Sequence, residues 1–458
     1  MKKQIRLNAF DMNCVGHIQH GMWAHPRDRS IHYTELDYWT DMAKTLERGL
    51  FDGLFLADII GVYDVFAGNA DAAIRGGVQI PVNDPTLLVP AMAQATKHLG
   101  FGVTANLTYE TPYSFARRFS TLDHLTRGRI GWNIVTGYLD SGARGMGRAQ
   151  MIAHDDRYDI ADEFMEVCYK LWEGSWEDGA VLADKARRLY ADPAKIHAIH
   201  HHGQHYHLDA IHMSEPSPQR TPVLYQAGAS DRGRRFAATH AECVFLNNSS
   251  KANTRELMHD IRVRAEAAGR NPSDIQGFVQ FAVVVAPTDA EARDKCDAYR
   301  EYASTEGALA HMSAAMGIDL AAYEPDQPIG YVKTDGNTSQ VESITTRSAQ
   351  VWTVNGLMQR MILGSRNPPI VGSPQTVADE LMGWMDETGI DGFNLSRTVA
   401  PECIEDFVDL VIPELQSRGV YKTGYTEGTL REKLFAQDRG RANAAKLPAS
   451  HPAASWRR

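Results

Sequence analysis

The stretch F-A-R-R-F-S-T-L-D-H-L-T-R-G-R-I-G-W-N-I-V-T, residues 115–136, contains one full helix-and-strand unit of a pattern that recurs along the chain. Apolar side chains recur at helical spacing over residues 115–125, Gly128 follows, and residues 129–136 form a short, almost continuous apolar run. Glycine just past a periodic segment is a typical helix stop. An apolar run of this length is typical of a strand buried on both faces. The stretch therefore predicts a helix, a turn and a buried parallel strand.

The same unit recurs along the whole chain. Seven more strands are predicted at residues 5–10, 53–58, 100–106, 222–228, 242–246, 278–286 and 391–395. Further helices are predicted at residues 33–48, 87–97, 254–268 and 374–388, with glycine stops at Gly49, Gly100, Gly269 and Gly389. Eight buried strands alternating with helices predict an α/β protein built as a (β/α)8 TIM barrel. The alternative is a doubly wound open sheet, but its dinucleotide-binding form needs a G-x-G-x-x-G turn, which the first strand lacks.

The chain is longer than the barrel that it is predicted to form. A barrel of this type needs about 250 residues, and the chain has 458. We expect a single domain over residues 1–436, with large insertions after strand 4, at about 137–221, and after strand 7, at about 287–372. Long insertions in a compact domain commonly form lids or binding loops. Residues 437–458 are predicted to form a C-terminal tail that is extended or disordered, or that embraces a partner subunit.

Composition excludes several classes of function. The chain has 47 Lys and Arg residues against 57 Asp and Glu residues, a formal net charge of −10, which disfavours nucleic acid as a partner. No apolar run approaches the roughly 18 residues of a membrane-spanning helix, so no membrane contact is expected. The 5 cysteines are scattered without a C-x-x-C pair, which is typical of a reducing compartment. The composition predicts a cytoplasmic protein.

The active site of such a barrel lies at the carboxyl ends of the strands. There the sequence places Asp58, Thr104, Asn133 and Tyr138, so the predicted mouth is rich in amide, hydroxyl and aromatic groups and poor in charge. The strand ends carry no pair of carboxylates, which glycoside hydrolysis would require. They also carry no cluster of His and Asp, which a hydrolytic metal site would require. A mouth of this composition suits a large heteroaromatic cofactor and an apolar substrate.

Two short motifs near this mouth each have two interpretations. The segment 228–235 follows a strand and contains Ser230, so it is either a phosphate cradle at a helix start or a plain turn with a serine cap. Cys14 and His17 lie three residues apart after the first strand. They are either a nucleophile pair or residues of a substrate pocket.

Two motifs of the first insertion also have two interpretations each. The run H-A-I-H-H-H-G-Q-H-Y-H, residues 197–207, is either a metal site or a surface hairpin, because zinc needs three or four converging ligands. Arg157 and Tyr158 lie in an amphipathic helix predicted near residues 155–172. They either contact an anion or lie on an ordinary helix surface.

Several longer motifs resemble one enzyme family. They are N-A-F-D-M-N-C-V-G-H (8–17), F-D-G-L-F-L-A-D (51–58), I-P-V-N-D-P (80–85), S-T-L-D-H-L-T-R-G-R-I-G-W-N-I-V-T (120–136), H-D-D-R-Y-D-I-A-D-E-F (154–164), L-W-E-G-S-W-E-D (171–178), E-P-S-P-Q-R-T-P-V-L-Y-Q-A-G (215–228) and D-G-F-N-L (391–395). Together they resemble the two-component flavin-dependent monooxygenases related to bacterial luciferase. The resemblance is to the nitrilotriacetate and dibenzothiophene-sulfone monooxygenase branch, and within it to the enzymes that oxidise long-chain alkanes and dimethyl sulfide.

This resemblance implies a luciferase-like TIM barrel that binds FMNH2 supplied by a separate NAD(P)H:flavin reductase. With O2 the reduced flavin gives a C4a-(hydro)peroxyflavin, the oxygen donor of the family. By motif, the residues that would contact the flavin are Asp58, Thr104, Asn133, His154, Arg157, Tyr158, Ala229 and Ser230, the last four near its phosphate. The catalytic and substrate-pocket residues would be Cys14, His17, Tyr63, Tyr138 and His311. No metal is implied, and a homodimer or homotetramer is expected.

Tyr138 departs from the alkane-oxidising enzymes, which have His at the corresponding position. A phenol there removes a base that titrates near neutrality and adds bulk. We therefore expect a small apolar or organosulfur substrate of the dimethyl-sulfide type. The alternatives are long-chain alkane hydroxylation, oxidative cleavage of a flavin such as riboflavin, a deazaflavin-dependent oxidoreductase, a metal-dependent barrel hydrolase and a non-catalytic flavin-binding protein.

Overall fold

The computed structural model of the chain describes residues 3–228, 230–246, 250–332, 341–342, 344–346, 348, 350–363, 367–439 and 444–458. In these residues the strands are β1 (Arg6–Met12), β2 (Gly53–Ala57), β3 (Gly100–Asn106), β4 (Ile130–Val135), β5 (Val181–Asp184), β6 (Leu189–Ala191), β7 (Ile199–His202), β8 (His207–Ala210), β9 (Val223–Gln226), β10 (Cys243–Leu246), β11 (Gln276–Val285), β12 (Ile370–Gly372) and β13 (Gly392–Ser396). The α-helices span Leu36–Arg48, Asp71–Gly76, Val89–Ala95, Pro112–Leu125, Asp140–Gly145, His154–Tyr169, Asp231–His240, Lys251–Ala267, Asp289–Arg300, Thr305–Met316, Val354–Met361, Pro374–Thr388, Glu402–Asp406, Ile412–Ser417 and Leu430–Arg439.

Eight of the described strands close into a parallel barrel. Around the ring the order is β1-β2-β3-β4-β9-β10-β11-β13, and β13 returns to β1. The register places Thr104 of β3 beside Asn133 of β4, and Asn8 of β1 beside Asn394 of β13. The predicted α/β TIM barrel is therefore confirmed, and each of the eight predicted strands overlaps an observed one.

Aromatic rings fill the inside of the barrel. Phe55 of β2 and Phe245 of β10 belong to opposite sides of the ring, yet their ring centroids are only 4.3 Å apart. Tyr225 of β9 stacks on Phe245, with centroids 5.5 Å apart. These rings cross the barrel and form a floor beneath the carboxyl ends of the strands.

The helix Leu430–Arg439 closes the opposite, amino-terminal end of the barrel. Leu430 and Leu434 pack against the interior aromatic cluster. Arg431 is fully buried and pairs with Glu242, the residue that precedes β10, at 2.8 Å. The carboxyl ends of the strands are left as the end at which a ligand enters.

The described parts of the segment 437–458 are not extended or disordered as predicted. Its first residues belong to the helix Leu430–Arg439, and residues 444–458 pack against the barrel. His451 is 1% exposed, and its Nε2 lies 2.9 Å from the carbonyl oxygen of His240. Leu447 and Ala453 are buried in the main core. Long-range apolar contacts and this hydrogen bond therefore fix a segment whose local sequence carries no strong periodicity.

Two long segments connect barrel strands. Between β4 and β9 the chain forms the helix His154–Tyr169 and two antiparallel hairpins, β5–β6 and β7–β8. Between β11 and β13 lies the helix Thr305–Met316, which packs against the helix Asp71–Gly76. No helix in the described ranges combines the length and the apolar character needed to cross a bilayer.

Candidate active site

A cavity of about 250 Å³ lies at the carboxyl ends of the barrel strands. Every barrel strand, or the residue directly after it, contributes to the wall, from Phe10 of β1 through Thr104 and Asn133 to Asn394 of β13. Phe55 and Phe245 of the aromatic floor line it from below. Seven of the predicted site residues share this cavity: His17, Asp58, Tyr63, Thr104, Asn133, Tyr138 and His311.

One wall of the cavity is polar and uncharged. The amide Nδ2 of Asn133 donates to the Thr104 hydroxyl at 2.9 Å, which their neighbouring positions on β3 and β4 make possible. This bond fixes the orientation of the Asn133 amide. Its Oδ1 is buried and has no hydrogen-bond partner among the described residues. A buried acceptor without a donor is costly, so Asn133 is an oriented acceptor suited to a ligand.

Asp58 lies where this cavity adjoins a second one of about 350 Å³. The second cavity is more polar, and its wall includes Asp84, Asn106 and Arg118. Burial, reinforced by the negative charge of Asp84, raises the pKa of Asp58 to about 7. Asp58 is thus a carboxyl group that changes charge near neutrality at the junction of the two cavities.

The cavity wall also holds a hydrogen-bonded pair of phenols beside an imidazole. The hydroxyl oxygens of Tyr63 and Tyr138 are 3.1 Å apart, and the Tyr63 hydroxyl donates to Oε1 of Gln79 at 2.7 Å. The ring of Tyr63 stacks on that of His311, with centroids 5.1 Å apart and planes 10° from parallel. Burial raises the pKa of Tyr63 well above its usual range, so this phenol stays protonated at neutral pH.

His17 contributes a neutral imidazole to the same cavity. Its ring meets the ring of Phe10 edge to face, with centroids 4.6 Å apart. Burial, with the positive charge of Arg397 nearby, lowers its pKa well below the usual range. The side chain is therefore uncharged at pH 7, and it can exchange hydrogen bonds with a ligand without attracting an anion.

Cys14 does not line the cavity, in contrast to its predicted role. Its thiol is buried and lies 3.4 Å from the carbonyl oxygen of Gly16. Burial raises its pKa to about 12, so it is not a thiolate nucleophile at neutral pH. Arg397, paired with Asp11 at 2.8 Å, donates to the carbonyl oxygen of Cys14 at 3.0 Å. Cys14 thus belongs to the packing of the loop that carries His17.

The predicted phosphate residues gather where two helices begin. His154 and Arg157 lie in the first turn of the helix His154–Tyr169, and Ser230 caps the helix Asp231–His240 with its hydroxyl. Nε2 of His154 lies 3.4 Å from Oγ of Ser230, so the two helix starts face each other. Each helix start carries partial positive charge and free backbone N–H groups.

The turn after β9 leads from the cavity to this place. Ala227 lines the cavity, and a β-carbon on Gly228 would lie 2.6 Å from the hydroxyl oxygen of Tyr158. Only glycine permits this close approach. Arg157 is buried and donates from Nη1 to the carbonyl oxygen of Ile152 at 2.7 Å. Ala229, predicted to contact the flavin, lies outside the described residues.

The His-rich run at 197–207 forms the antiparallel hairpin β7–β8, as one of its two interpretations predicted. It does not line either cavity. His201 is buried and lies 3.0 Å from both Glu163 Oε1 and Lys170 Nζ. A search of the described residues finds no group of three or more His, Cys, Asp or Glu side chains placed to hold a metal ion.

The polar residues of the cavity wall that were not predicted include His20, Gln79 and Gln280. The partner of His20 is His311, 291 positions along the chain. The H-x-x-H spacing of His17 and His20 is a sequence signal that could have pointed to it. Gln79 has φ of 50°, a left-handed conformation that is uncommon outside glycine and that clusters at functional sites.

The luciferase-like monooxygenase family matches residues 18–392 of the chain. The chain belongs to this family. This luciferase-like monooxygenase is 48% identical over 458 residues to dimethyl-sulfide monooxygenase of Hyphomicrobium sulfonivorans, covering 100% of this chain and 94% of that enzyme. It is 48% identical over 457 residues to long-chain alkane monooxygenase of Geobacillus thermodenitrificans (strain NG80-2), covering 100% and 99%. The crystal structure of a riboflavin lyase with modified FMN and riboflavin matches it with a TM-score of 0.93, at 38% identity over 100% of both chains. The family expected from the motifs is confirmed.

Proposed function

We propose that this luciferase-like monooxygenase uses reduced FMN and O2 to oxygenate a small apolar or organosulfur compound of the dimethyl-sulfide type. Bound reduced flavin supplies two electrons that activate O2, so that one oxygen atom enters the substrate and the other leaves as water. The observation that carries this proposal is the shared cavity. In it the oriented amide of Asn133 shares the wall with the phenol and imidazole groups of Tyr63, Tyr138 and His311.

The residues of the site fit FMN at both ends. Reduced isoalloxazine carries ring N–H groups, and Asn133 offers a buried Oδ1 that lacks a donor. Thr104 holds that amide in place, and Asp58 adds a second polar group at the same wall. At the other end, the paired helix starts at His154 and Ser230 suit a terminal phosphate. Arg157 and Tyr158 would add charge-assisted hydrogen bonds there.

The aromatic floor would keep water from the reacting atoms. Phe10, Phe55 and Phe245 line the cavity together with Met312 of the helix Thr305–Met316. A closed apolar site prevents the activated oxygen from being lost to side reactions with water. The helix Thr305–Met316 would act as part of the lid over this site.

The cavity favours a small uncharged substrate. Its volume of about 250 Å³ has to hold the isoalloxazine as well as the substrate, which leaves room for a small substrate only. Among the described residues that line the cavity, Asp58 is the one carboxylate, and the histidines are the only basic side chains. His17 is neutral at pH 7 for the reason given above. A thioether is small, apolar and electron-rich at sulfur, which makes it an easier oxygen acceptor than an unactivated C–H bond.

We further propose that FMNH2 reaches the site from a separate NAD(P)H:flavin reductase, by diffusion or transient contact. The motif resemblance to two-component enzymes supports this arrangement. A cytoplasmic homodimer or homotetramer is the assembly that we expect, and size-exclusion chromatography with light scattering measures it.

An anaerobic titration with FMNH2, followed by O2 and a substrate panel, tests the proposed function. The panel contains dimethyl sulfide, n-alkanes and riboflavin, and product masses are recorded. We expect oxygenated product from dimethyl sulfide or a closely related thioether. Flavin binding without faster substrate-dependent reoxidation would indicate a non-catalytic flavin-binding protein instead.

A matched pair of asparagine variants controls this experiment. Asn133→Ala removes the oriented amide and is expected to weaken FMNH2 binding about fivefold to tenfold, because a buried hydrogen bond between neutral groups contributes about 1–1.5 kcal/mol. Asn69→Ala changes an exposed asparagine and should leave binding unchanged. Equal affinity in the two variants would remove Asn133 from the flavin site.

A further inference from the structure

His20 and His311 form a histidine pair in the cavity wall. Nε2 of His20 lies 2.9 Å from Nδ1 of His311, and the rings meet edge to face with centroids 5.0 Å apart. His20 is 2% exposed and belongs to the loop after β1, whereas His311 lies on the helix Thr305–Met316. One hydrogen bond thus joins the loop to the helix at the cavity.

The backbone of His20 is fixed to the start of the same helix. Its carbonyl oxygen accepts the N–H of Ser304 at 2.8 Å, and the Ser304 side chain caps the helix. A β-carbon on Gly307 would lie 2.9 Å from Cβ of His20, so the glycine lets the helix pack directly on this residue. The imidazole of His20 is therefore held toward His311 by its surroundings.

Only one proton can lie between the two ring nitrogens. Burial, with His311 and His17 close by, lowers the pKa of His20 well below its usual range, so its ring is neutral and carries one N–H. Either His20 donates from Nε2 to Nδ1 of His311, or His311 donates from Nδ1 to Nε2 of His20. The distance alone does not distinguish these arrangements.

The other nitrogen of His20 decides between them. Nδ1 of His20 is buried and has no hydrogen-bond partner among the described residues. If His311 were the donor, the proton of His20 would have to lie on this Nδ1, as a buried N–H without an acceptor. Orphaned buried N–H groups are rare, and acceptors that lack a donor are tolerated better. The proton of His20 is therefore on Nε2.

We propose that His20 is a positioning residue that donates to Nδ1 of His311 and thereby fixes His311 in the tautomer with its proton on Nε2. His311 then presents its Nε2–H at the cavity wall, with its ring held between His20 and the stacked ring of Tyr63. A role of this N–H in orienting the oxygen that is transferred rests on the proposed function. The tautomer itself does not.

The phenols of the same wall have their protons committed elsewhere. Nε2 of Gln79 donates to the carbonyl oxygen of His17 at 2.6 Å, so Oε1 of Gln79 faces Tyr63 and accepts its hydroxyl proton. Tyr138, 3.1 Å from Tyr63, then donates to the Tyr63 oxygen. Both phenol protons therefore point along the wall. Of Tyr63, Tyr138 and His311, only His311 then has a proton to donate to a ligand in the cavity.

NMR of the full chain labelled with 15N-histidine tests the tautomer without flavin or substrate. The long-range couplings between ring carbon protons and ring nitrogens report which nitrogen carries the proton, and the spectrum of His311→Gln assigns the His311 signals. We expect an excess of at least about tenfold of the Nε2–H form of His311. Observation of the Nδ1–H form of His311, or of an even mixture, would overturn the assignment.

Two substitutions at His20 test the cause. His20→Leu removes the donor, and we expect a mixture of His311 tautomers together with a severalfold loss of oxygenated product per FMNH2 consumed, at unchanged flavin affinity. His20→Gln keeps an N–H donor and should restore both readouts. An unchanged tautomer in His20→Leu would contradict the positioning role. Absence of oxygenated product with the wild type as well would count against the proposed function, while the NMR result would still decide the tautomer.

Discussion

Replacement of Asp58 by Asn is expected to stabilise the protein increasingly as the pH rises. Asp58 lines both cavities, and burial with the nearby charge of Asp84 raises its pKa from 3.8 to about 7. Between these values the folded carboxyl group keeps a proton that the unfolded one has lost. The folded state therefore binds more protons, and the wild type loses stability from about pH 4 to pH 7. Asn has the shape of the protonated acid and does not ionise.

The size of the effect follows from the two pKa values. Their difference, 7 minus 3.8, is 3.2 units, which at about 1.36 kcal/mol per unit corresponds to about 4 kcal/mol above pH 7. At pH 5 only 5 minus 3.8, or 1.2 units, applies, which corresponds to about 1.6 kcal/mol. Asp58→Asn should thus gain at most about 4 kcal/mol over the wild type at pH 8 and markedly less at pH 5.

Urea unfolding of the wild type and Asp58→Asn at pH 5 and pH 8 measures this difference. Asp41→Asn is the matched control, because the Asp41 side chain is 71% exposed and lines neither cavity. We expect no growth of the stability difference with pH in the control. A gain for Asp58→Asn that is equal at the two pH values, or larger at pH 5, would refute the view that the cavity disfavours a charged Asp58.

Three further substitutions test the packing around the site, each by urea unfolding. Arg397→Ala should cost about 3–5 kcal/mol, because it leaves Asp11 buried without its partner; a loss below 1 kcal/mol would contradict this. Tyr63→Phe should cost about 1–3 kcal/mol and Tyr138→Phe less, because only the first leaves the Gln79 acceptor without a donor; the reverse order would disprove the proton assignment along the wall. Leu434→Ala should cost about 2–5 kcal/mol with unchanged FMNH2 affinity, since Leu434 packs at the far end of the barrel.

Local patterns were enough to predict the barrel. The strand Gly100–Asn106 and the helix Pro374–Thr388 have the same bounds in the structure as in the sequence prediction, because apolar period and flanking residues determine both. Gly389 ends its helix with φ of 72°, as expected of a helix stop. Gly100 does not; it is the first residue of β3, and a β-carbon there would lie 2.5 Å from Leu430. Its small size serves a contact 330 residues away, which no local pattern contains.

The site, like the fold, contains residues that the sequence pattern predicts and residues that it does not. The rule that strand ends meet at one face of a barrel brings Asp58, Thr104 and Asn133 together from their positions alone. Cys14 lies in a motif with His17, but its thiol points into packed protein because Arg397 holds the loop backbone. The role of His20 depends on the partner His311 on a distant helix. Pairings of this kind depend on how the long connections pack, and the sequence pattern does not specify that.

A single-turnover reaction with FMNH2, 18O2 and dimethyl sulfide tests whether this cavity transfers oxygen from O2 to a thioether. If the cavity performs oxygen transfer, mass spectrometry will find one 18O atom in the product derived from the thioether and the second in water. Hydrogen peroxide as the sole fate of 18O2, with FMNH2 demonstrably bound and with every thioether, alkane and flavin offered, would contradict oxygen transfer in this cavity.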